Sequence, residues 1–451
     1  MTSTCSEEMD TFCATEGNRY CFRSTLANGT ETSVCGNCLP GYVEWLSRCL
    51  GQDQVDINLF LNEYQPTYVS NLSNTERAQL LLNSIQFIAE YQNQNPPLTF
   101  QLGLNKFSAD SEQDQKALRG FIPTVESSSS SSSATEPPVT FQSMNLDTNR
   151  PLPSSVDWVS KGMVTSVKDQ ERCGCCWAIS VVGSIEGAAA LQNNFLQSLS
   201  FQQFISCDNR NLGCDGGSLV YAMVYPVQDT DGVATDQDYG FTDGRGKTTQ
   251  ECNTKISTAI AVEKASYVVD FYDDLTFEER LQRMKAAVAQ QPVSMVLRSG
   301  CNLFNSYKSG ILTTDDGCEC TEPTCADHAV LMVGYNDTSD PPYWKLKNSW
   351  GSGWGEDGYF RVAQTRQGDY GLFGILVHGI VPDLTLNMTS GTVSENDPLI
   401  PPTQPDDDQL PWWAWFLIIL AAIALAYAIV SCGVGFFCPR KRATPPPEQA
   451  A

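Results

Sequence analysis

The sequence predicts an α+β globular domain, preceded by a helical segment and followed by a single membrane-spanning helix. Three observations lead there. Residues 152–382 mix apolar patterns of helical and strand period. Residues 55–120 contain no cysteine and carry a helical pattern through Leu80, Leu81, Ile85, Phe87, Ile88 and Tyr91. Trp412 to Cys438 is free of charge over about 27 residues, where about 20 suffice to cross a bilayer.

The chain has 451 residues, enough for about three domains, and a net charge of -24. So acidic a surface repels phosphates, which argues against nucleic acid as a partner. Eighteen cysteines fall as six in the first 49 residues, ten between 173 and 325, and two at 432 and 438. Such a number belongs to an oxidising compartment. Sequons at Asn28, Asn71, Asn336 and Asn387 agree with lumenal or extracellular exposure. Met1 to Phe12 holds no apolar run of signal-peptide type, so we expect that this N-terminus is truncated or that Met1 is not the natural start.

In chain order, residues 1–50 carry Cys5, Cys13, Cys21, Cys35, Cys38 and Cys49 and read as a small disulfide-stapled module. The Cys35-Gly-Asn-Cys38-Leu-Pro-Gly-Tyr42 stretch, followed by Cys49, resembles the second half of an EGF-like module. Residues 51–121 form the helical segment. Residues 122–151, with seven serines at 127–133 and Pro137-Pro138, read as an exposed linker open to proteolysis. Residues 383–411 are an acidic, proline-rich stem. Trp412, Trp413 and Trp415 mark one membrane interface, and Arg440-Lys441-Arg442 mark the cytoplasmic side. The expected topology is a single-pass type I protein with 412–438 in the membrane and 439–451 inside. Cys432 and Cys438 are open to lipidation or are simply apolar.

The chemistry concentrates in Gln170-Glu-Arg-Cys173-Gly174-Cys175-Cys176-Trp177-Ala178. Ile179, Val182, Ile185 and Ala189 follow at helical spacing, so Cys176 stands at the start of a helix. A thiol is a weak nucleophile near its ordinary pKa of about 8.5. The positive end of a helix and a neighbouring imidazolium both favour the thiolate. The chain has two histidines, and His328 lies in the apolar run Ala329-Val330-Leu331-Met332-Val333, about 150 residues after Cys176. Amide hydrolysis needs such a base and acid.

The Cys176 segment resembles the active-site segment of the papain/cathepsin family, whose local signature is specific to that family. Further blocks extend the resemblance over about 230 residues. They are Leu152-Pro-Ser-Ser-Val-Asp157-Trp158; Ser200 to Cys207; Gly213-Cys214-Asp215-Gly216-Gly217; Asp327-His328-Ala329-Val330 with Val333-Gly334-Tyr335; and Trp344 to Gly358, including Lys347-Asn348-Ser349-Trp350-Gly351. Cys175 departs from the pattern, which has a small residue there, usually serine.

The resemblance implies a papain-like two-domain fold, with a helical half holding Cys176 and a β-barrel-like half holding His328 and Asn348. It implies a cysteine endopeptidase that works through an acyl-thioester on protein or peptide substrates, without cofactor or metal, as a monomer. Asn348 would orient the imidazole, Trp350 would shield that bond, and Gln170 with the Cys176 N–H would form the oxyanion hole. Disulfides Cys173–Cys214 and Cys207–Cys252 follow by the same carry-over. Phe373 stands where the family has the cysteine of a third bridge, so Cys301, Cys318, Cys320 and Cys325 remain as an even set that can make two local bridges. Parity then leaves Cys175 free, either as a buried small hydrophobe or as a redox-sensitive thiol.

Carried over in the same way, the substrate-binding residues are Gly216, Gly217, Ser218, Leu219, Val296, Ala326, Asp327, Trp350 and His378. Ser218, Leu219, Val296 and Ala326 would wall the pocket for the second residue before the scissile bond. His378 would form its floor, taking bulky apolar side chains when neutral and also acidic ones when protonated. Residues 51–121 resemble the family's inhibitory pro-segment at Arg77, Ile88 and Gly103-Leu-Asn105-Lys-Phe107, while Ser84 and Gln92 replace asparagines and Ala109 precedes Asp110. Such a segment would run backwards through the cleft and be removed near the serine linker. Three rivals stay open: a silent protease domain used for binding, a peptide ligase on the same site, and an adhesion-type surface protein centred on residues 1–50. Lysosome, vacuole or endosome and the cell surface are equally compatible destinations.

Overall fold

The computed structural model describes residues 20–25, 31–36, 43–45, 48–50, 57–64, 72–94, 98–123, 141–146, 151–194, 196–245, 250–322 and 324–384. The stem beyond Leu384, the 412–438 run and the tail lie outside the described residues, as does most of the serine-rich linker; Asp383, expected to open the stem, instead ends the Gly379–Asp383 strand. Among the described residues no helix is long and apolar enough to cross a membrane.

At the N-terminal end, Tyr20–Thr25 pairs antiparallel with Glu31–Gly36, and Val43–Trp45 pairs with Arg48–Leu50. The helical period read from the sequence is met by Ile57–Tyr64 and Asn74–Gln94. Leu81, Ile85 and Ile88 put that period to use, each at 1% exposure or less. Ser84 Oγ donates to the Ser108 carbonyl, and Gln92 Nε2 donates to the Leu102 carbonyl. The two substituted positions thus still fasten the 100–108 strand and turn onto the helix.

Ten strands form one mixed sheet. Neighbours run Phe100–Leu102, Tyr307–Leu312, Tyr359–Ala363, Tyr343–Lys347, His328–Asn336, Val293–Leu297, Gly379–Asp383, Lys264–Val269 and Gln142–Ser143, and Ser155–Asp157 pairs with His328–Asn336 off that path. Two edge strands, Phe100–Leu102 and Gln142–Ser143, come from outside 152–382. One correction concerns the linker. Its last residues are docked: Gln142–Ser143 pairs parallel with Lys264–Val269, and Phe141 packs edge-on to Tyr267. Burying Phe141 to 8% exposure outweighs the polar composition around it.

The core has two parts. One surrounds the central strands and includes Trp344, Trp350, Trp354, Phe304 and Phe360. The other surrounds the Cys176–Asn193 helix, with Phe201–Cys207 and Leu219–Val224 against it. That helix is buried from Cys176 to Ala190. A helix apolar on every side belongs inside a protein, and here it packs on the His328–Asn336 and Val293–Leu297 strands. The half that carries the thiol therefore touches the half that carries the imidazole.

Candidate active site

Cys176 is the first residue of its helix, and Cys175 caps it without a side-chain hydrogen bond. The loop before it is held by the Cys173–Cys214 disulfide and by Gly174 N–H donating to the Cys214 carbonyl at 2.8 Å. A helix N-terminus carries roughly half a positive charge, which favours an anion at Sγ.

His328 opens a strand, and Asn348 immediately follows another. Those strands are antiparallel with Leu331 opposite Lys347, so the start of one meets the end of the other. His328 Nε2 and Asn348 Oδ1 are 2.8 Å apart, and Trp350 lies over the imidazole with ring centroids at 5.0 Å. Asn348 Oδ1 also accepts the Ser349 N–H at 2.8 Å, which fixes the amide so that its oxygen faces the ring. With Nε2 engaged as a donor, Nδ1 is the nitrogen left without a hydrogen-bond partner.

Gln170 belongs to the same assembly through both its backbone and its side chain. Its N–H donates to the Ser349 carbonyl at 2.9 Å, and Oε1 accepts the Ser349 hydroxyl at 2.5 Å. Its amide nitrogen therefore points to Leu118, donating to that carbonyl at 3.0 Å, and to the Cys173 carbonyl at 2.8 Å.

Residues 118–122 lie across this site. Gly120 N–H donates to Cys176 Sγ at 3.3 Å. Phe121 N–H donates to the Asp327 carbonyl, Ile122 N–H to the Gly217 carbonyl, and Gly217 N–H to the Gly120 carbonyl. Phe121 pairs parallel with Gly217. Glycine is required at 120 because an added Cβ would stand 1.8 Å from the Gly174 carbonyl oxygen. The cover has an electrostatic consequence. Burial pushes the Cys176 thiol up to about 11, against the N–H groups of Ala329 and Gly120 that favour its anion. Burial pushes the His328 imidazole down to about 4, against the Asn348 hydrogen bond and the Asp327 charge. With residues 118–122 in place the pair is thiol and neutral imidazole.

Other residues of the set fall in two groups. Gly216, Gly217 and Asp327 touch the 118–122 strand; a Cβ on Gly216 would meet the Gly120 carbonyl at 2.8 Å. Leu219, Val296 and Ala326 are buried in one apolar cluster with Phe121. Ser218 is instead committed to its own turn, capping the Leu219–Val224 helix and donating its N–H to Asn211. His378 is fully buried and reaches Phe121 through Phe271: Phe121 and Phe271 stack at 6.2 Å, and Phe271 and His378 at 4.3 Å. The sequence assigns no site role to Phe271, Asp270, Ser349 or Gly120. Phe271 and Asp270 lie in the stretch after the Lys264–Val269 strand and carry no motif.

Cys207–Cys252 is formed, and the even set resolves into Cys301–Cys318 and Cys320–Cys325. Among the described residues Cys175 and Cys176 are the free cysteines, both buried. The described residues hold no cluster of three or more His, Cys, Asp or Glu side chains fit for a metal ion.

A buried thiol at a helix start, an imidazole held by an amide oxygen and a side-chain amide beside them define the class of cysteine peptidases. The papain family cysteine protease model matches residues 152–377, and this chain belongs to that family. It is 33% identical over 366 residues to "Senescence-specific cysteine protease SAG12" of Arabidopsis thaliana, covering 81% of this chain and 95% of that one. It is 33% identical over 330 residues to "Senescence-specific cysteine protease SAG39" of Oryza sativa subsp. indica, covering 72% and 88%. Among solved structures, "Recombinant stem bromelain precursor" matches with a TM-score of 0.59 at 27% identity, over 72% of this chain and 97% of that chain. Digestive procathepsin L2 from Tenebrio molitor larval midgut matches with a TM-score of 0.59 at 27% identity, over 72% and 98%. The fold is papain-like, and the chain is a cysteine protease, a hydrolase.

Proposed function

We propose that the chain is a cysteine endopeptidase made as a zymogen, in which Cys176 is the nucleophile, His328 the acid and base, Asn348 the orienting residue and Gln170 an oxyanion donor. Cys176 Sγ attacks the scissile carbonyl carbon while its proton passes to His328 Nδ1. The carbonyl oxygen takes the electron pair and is held by Gln170 Nε2 and the Cys176 N–H. The C–N bond then breaks, the imidazolium gives its proton to the leaving amine, and a thioester remains. Water attacks the thioester as His328 takes its proton; the C–S bond breaks, and the acid is released with the thiol restored. Asn348 keeps Nε2 engaged, so Nδ1 serves both transfers.

The observation that carries this reading is the placement of Leu118, whose carbonyl accepts from Gln170 Nε2 at 3.0 Å. A carbonyl from the chain's own segment sits where a scissile carbonyl would be polarised. The strand leads from the Cys176 side towards Gly217. A substrate with its second residue in the Phe121 pocket would run from Gly217 towards Cys176, so residues 118–122 run opposite to it and present no bond for attack. Residues 51–121 then act as inhibitor, removed by cleavage between 122 and 151. Two solved structures similar to the chain are of a precursor and a proenzyme, which supports this. The mature unit would span about 152–382.

The test is covalent labelling of the full chain in detergent with a cysteine-directed epoxide after incubation at pH 4 to 5. Label on Cys176, with a new N-terminus near residue 150, is expected. A trimmed, folded chain that takes no label would sink the reading.

We further propose a membrane tether. The uncharged run 412–438, its tryptophans and Arg440-Lys441-Arg442 support a single span with the peptidase lumenal or extracellular, in a lysosome, vacuole or endosome or at the cell surface. Alkaline carbonate extraction checks it: the full chain should stay with the membranes, and a chain ended at residue 411 should leave them.

A further inference from the structure

The backbone edge that receives residues 118–122 is itself held from behind by a side chain. Gly217 turns both its peptide groups towards that segment: its N–H donates to the Gly120 carbonyl at 2.8 Å, and its carbonyl accepts the Ile122 N–H at 2.9 Å. Ser218 is extended, so its own peptide groups point the opposite way. Their partner is the Asn211 amide. Ser218 N–H donates to Asn211 Oδ1 at 2.8 Å, and Asn211 Nδ2 donates to the Ser218 carbonyl at 3.3 Å. One side-chain amide thus does for this edge what a neighbouring strand does in a sheet, since it offers a donor and an acceptor side by side.

The amide is locked in that orientation. Nδ2 gives its second hydrogen to Asp208 Oδ2 at 2.7 Å, and a flipped amide would set its oxygen against the carboxylate. Asp208 is fixed in turn. Its N–H donates to the Phe204 carbonyl at the end of the Phe201–Cys207 helix, and its Oδ1 accepts the Arg210 N–H at 3.0 Å. The Arg210 guanidinium is engaged by Asp229. The Cys207–Cys252 disulfide stands just before Asp208, and Cys173–Cys214 just after Asn211. Asp208 and Asn211 are both buried, and a Cβ on Gly217 would stand 2.6 Å from Asn211 Oδ1. The amide therefore lies directly against the backbone that it holds.

We propose that Asn211, with its amide locked by Asp208, is a positioning residue of this peptidase: it sets the Gly217 peptide groups where an extended substrate backbone pairs with them on its way to Cys176. The proposal rests on the peptidase reading above and adds to it a residue that acts through Gly217 rather than on the reacting atoms. Its loss should be felt by a peptide, which must lie along Gly217, and not by a small reagent that needs only the Cys176 sulfur.

The test uses the full chain in detergent, activated at acid pH, with a fluorogenic peptide extending three residues before the scissile bond, at pH 4.5 and 6.5. The rate of Cys176 alkylation by iodoacetamide is measured on the same samples. Asn211→Ala should lower kcat/KM about 10- to 100-fold, as a misplaced substrate does, with Cys176 alkylation within about 2-fold of wild type. Asn211→Asp keeps the shape of the side chain and guards against a folding defect. Its carboxyl can donate to Asp208 only when the two share a proton, within a surround that includes Arg210, Asp229 and Tyr225. Relative to wild type at each pH, this variant should be at least about 5-fold better at pH 4.5 than at 6.5. Equal losses of cleavage and alkylation in both variants, unchanged kcat/KM in Asn211→Ala, or an Asn211→Asp loss that is the same at both pH values overturns the proposal. A wild type that cleaves, beside unaffected Asn211 variants, sinks this proposal alone. If the wild type cleaves no peptide, the peptidase reading falls, and this one with it.

Discussion

The Gly120 backbone N–H donates to Cys176 Sγ at 3.3 Å. That single contact places the chain's own backbone on the sulfur and excludes water and reagents from it. Both free thiols among the described residues are fully buried: Cys176 is pushed up to about 11 and Cys175 well above the ordinary range, each first by desolvation. The untrimmed chain at pH 8 should therefore resist iodoacetamide at both. Once 51–121 is removed, alkylation should rise at least 100-fold at Cys176 alone, because helix end and imidazole then act on an accessible sulfur. Peptide mapping by mass spectrometry reads this directly, and alkylation at Cys175 in the trimmed enzyme would show that it is more than packing.

Gly120 should tolerate nothing larger. Its added Cβ would collide with backbone, which cannot swing aside as a side chain can. Gly120→Val should unseat residues 118–122 without touching 152–382. The expected outcome is untrimmed chain that labels with the epoxide at pH 7, where the wild type does not. Equal labelling of the two would show that this strand is not what blocks the site.

Gln170 holds the Leu118 carbonyl in the covered state, and by our reading a developing oxyanion in the active one. Losing one such donor typically costs about 100- to 1,000-fold in kcat. Gln170→Ala should fall in that range with KM within a few-fold, measured on the trimmed enzyme. A change confined to KM would move Gln170 from the reaction to substrate binding.

Acid should release the segment, and the sign follows from His328. Its imidazole is pushed from 6.5 down to about 4 in the covered state, so the covered form binds fewer protons than a form with an exposed imidazole. Docking is then undiminished above pH 6.5, weakens as pH falls towards 4, and loses nothing further from this group below that. Over that interval the loss is roughly 3 kcal/mol, at about 1.36 kcal/mol per pH unit. Trimming rates from pH 7.5 to 3.5 should rise between 6.5 and 4 and then level off. A rate independent of pH, or one rising only below 4, would remove His328 from the trigger.

Much of this protein is legible in its sequence. The motifs that resemble the papain family single out Cys176, His328, Asn348 and Gln170 as candidates. Parity of the cysteines leaves Cys175 free, and a 3.6-residue period announces the Asn74–Gln94 helix, since both are local or arithmetic facts. The acidic balance and the uncharged run at 412–438 are likewise properties of the chain itself. Tertiary structure alone decided the rest. The docking of Phe141 and the pairing of Gln142–Ser143 are invisible in a polar stretch, because one buried ring outweighs its neighbours only once a sheet edge exists to receive it. Phe271 and Asp270 become part of a pocket only when a stretch more than 100 residues earlier folds back against His378. The covered state of Cys176 and His328 is decided there too, since Gly120 lies on the sulfur and Leu118 on the Gln170 amide beside it, more than 50 positions before Cys176 and 200 before His328. Sequence spacing carries residue identity and period; burial by a distant segment has no local signature.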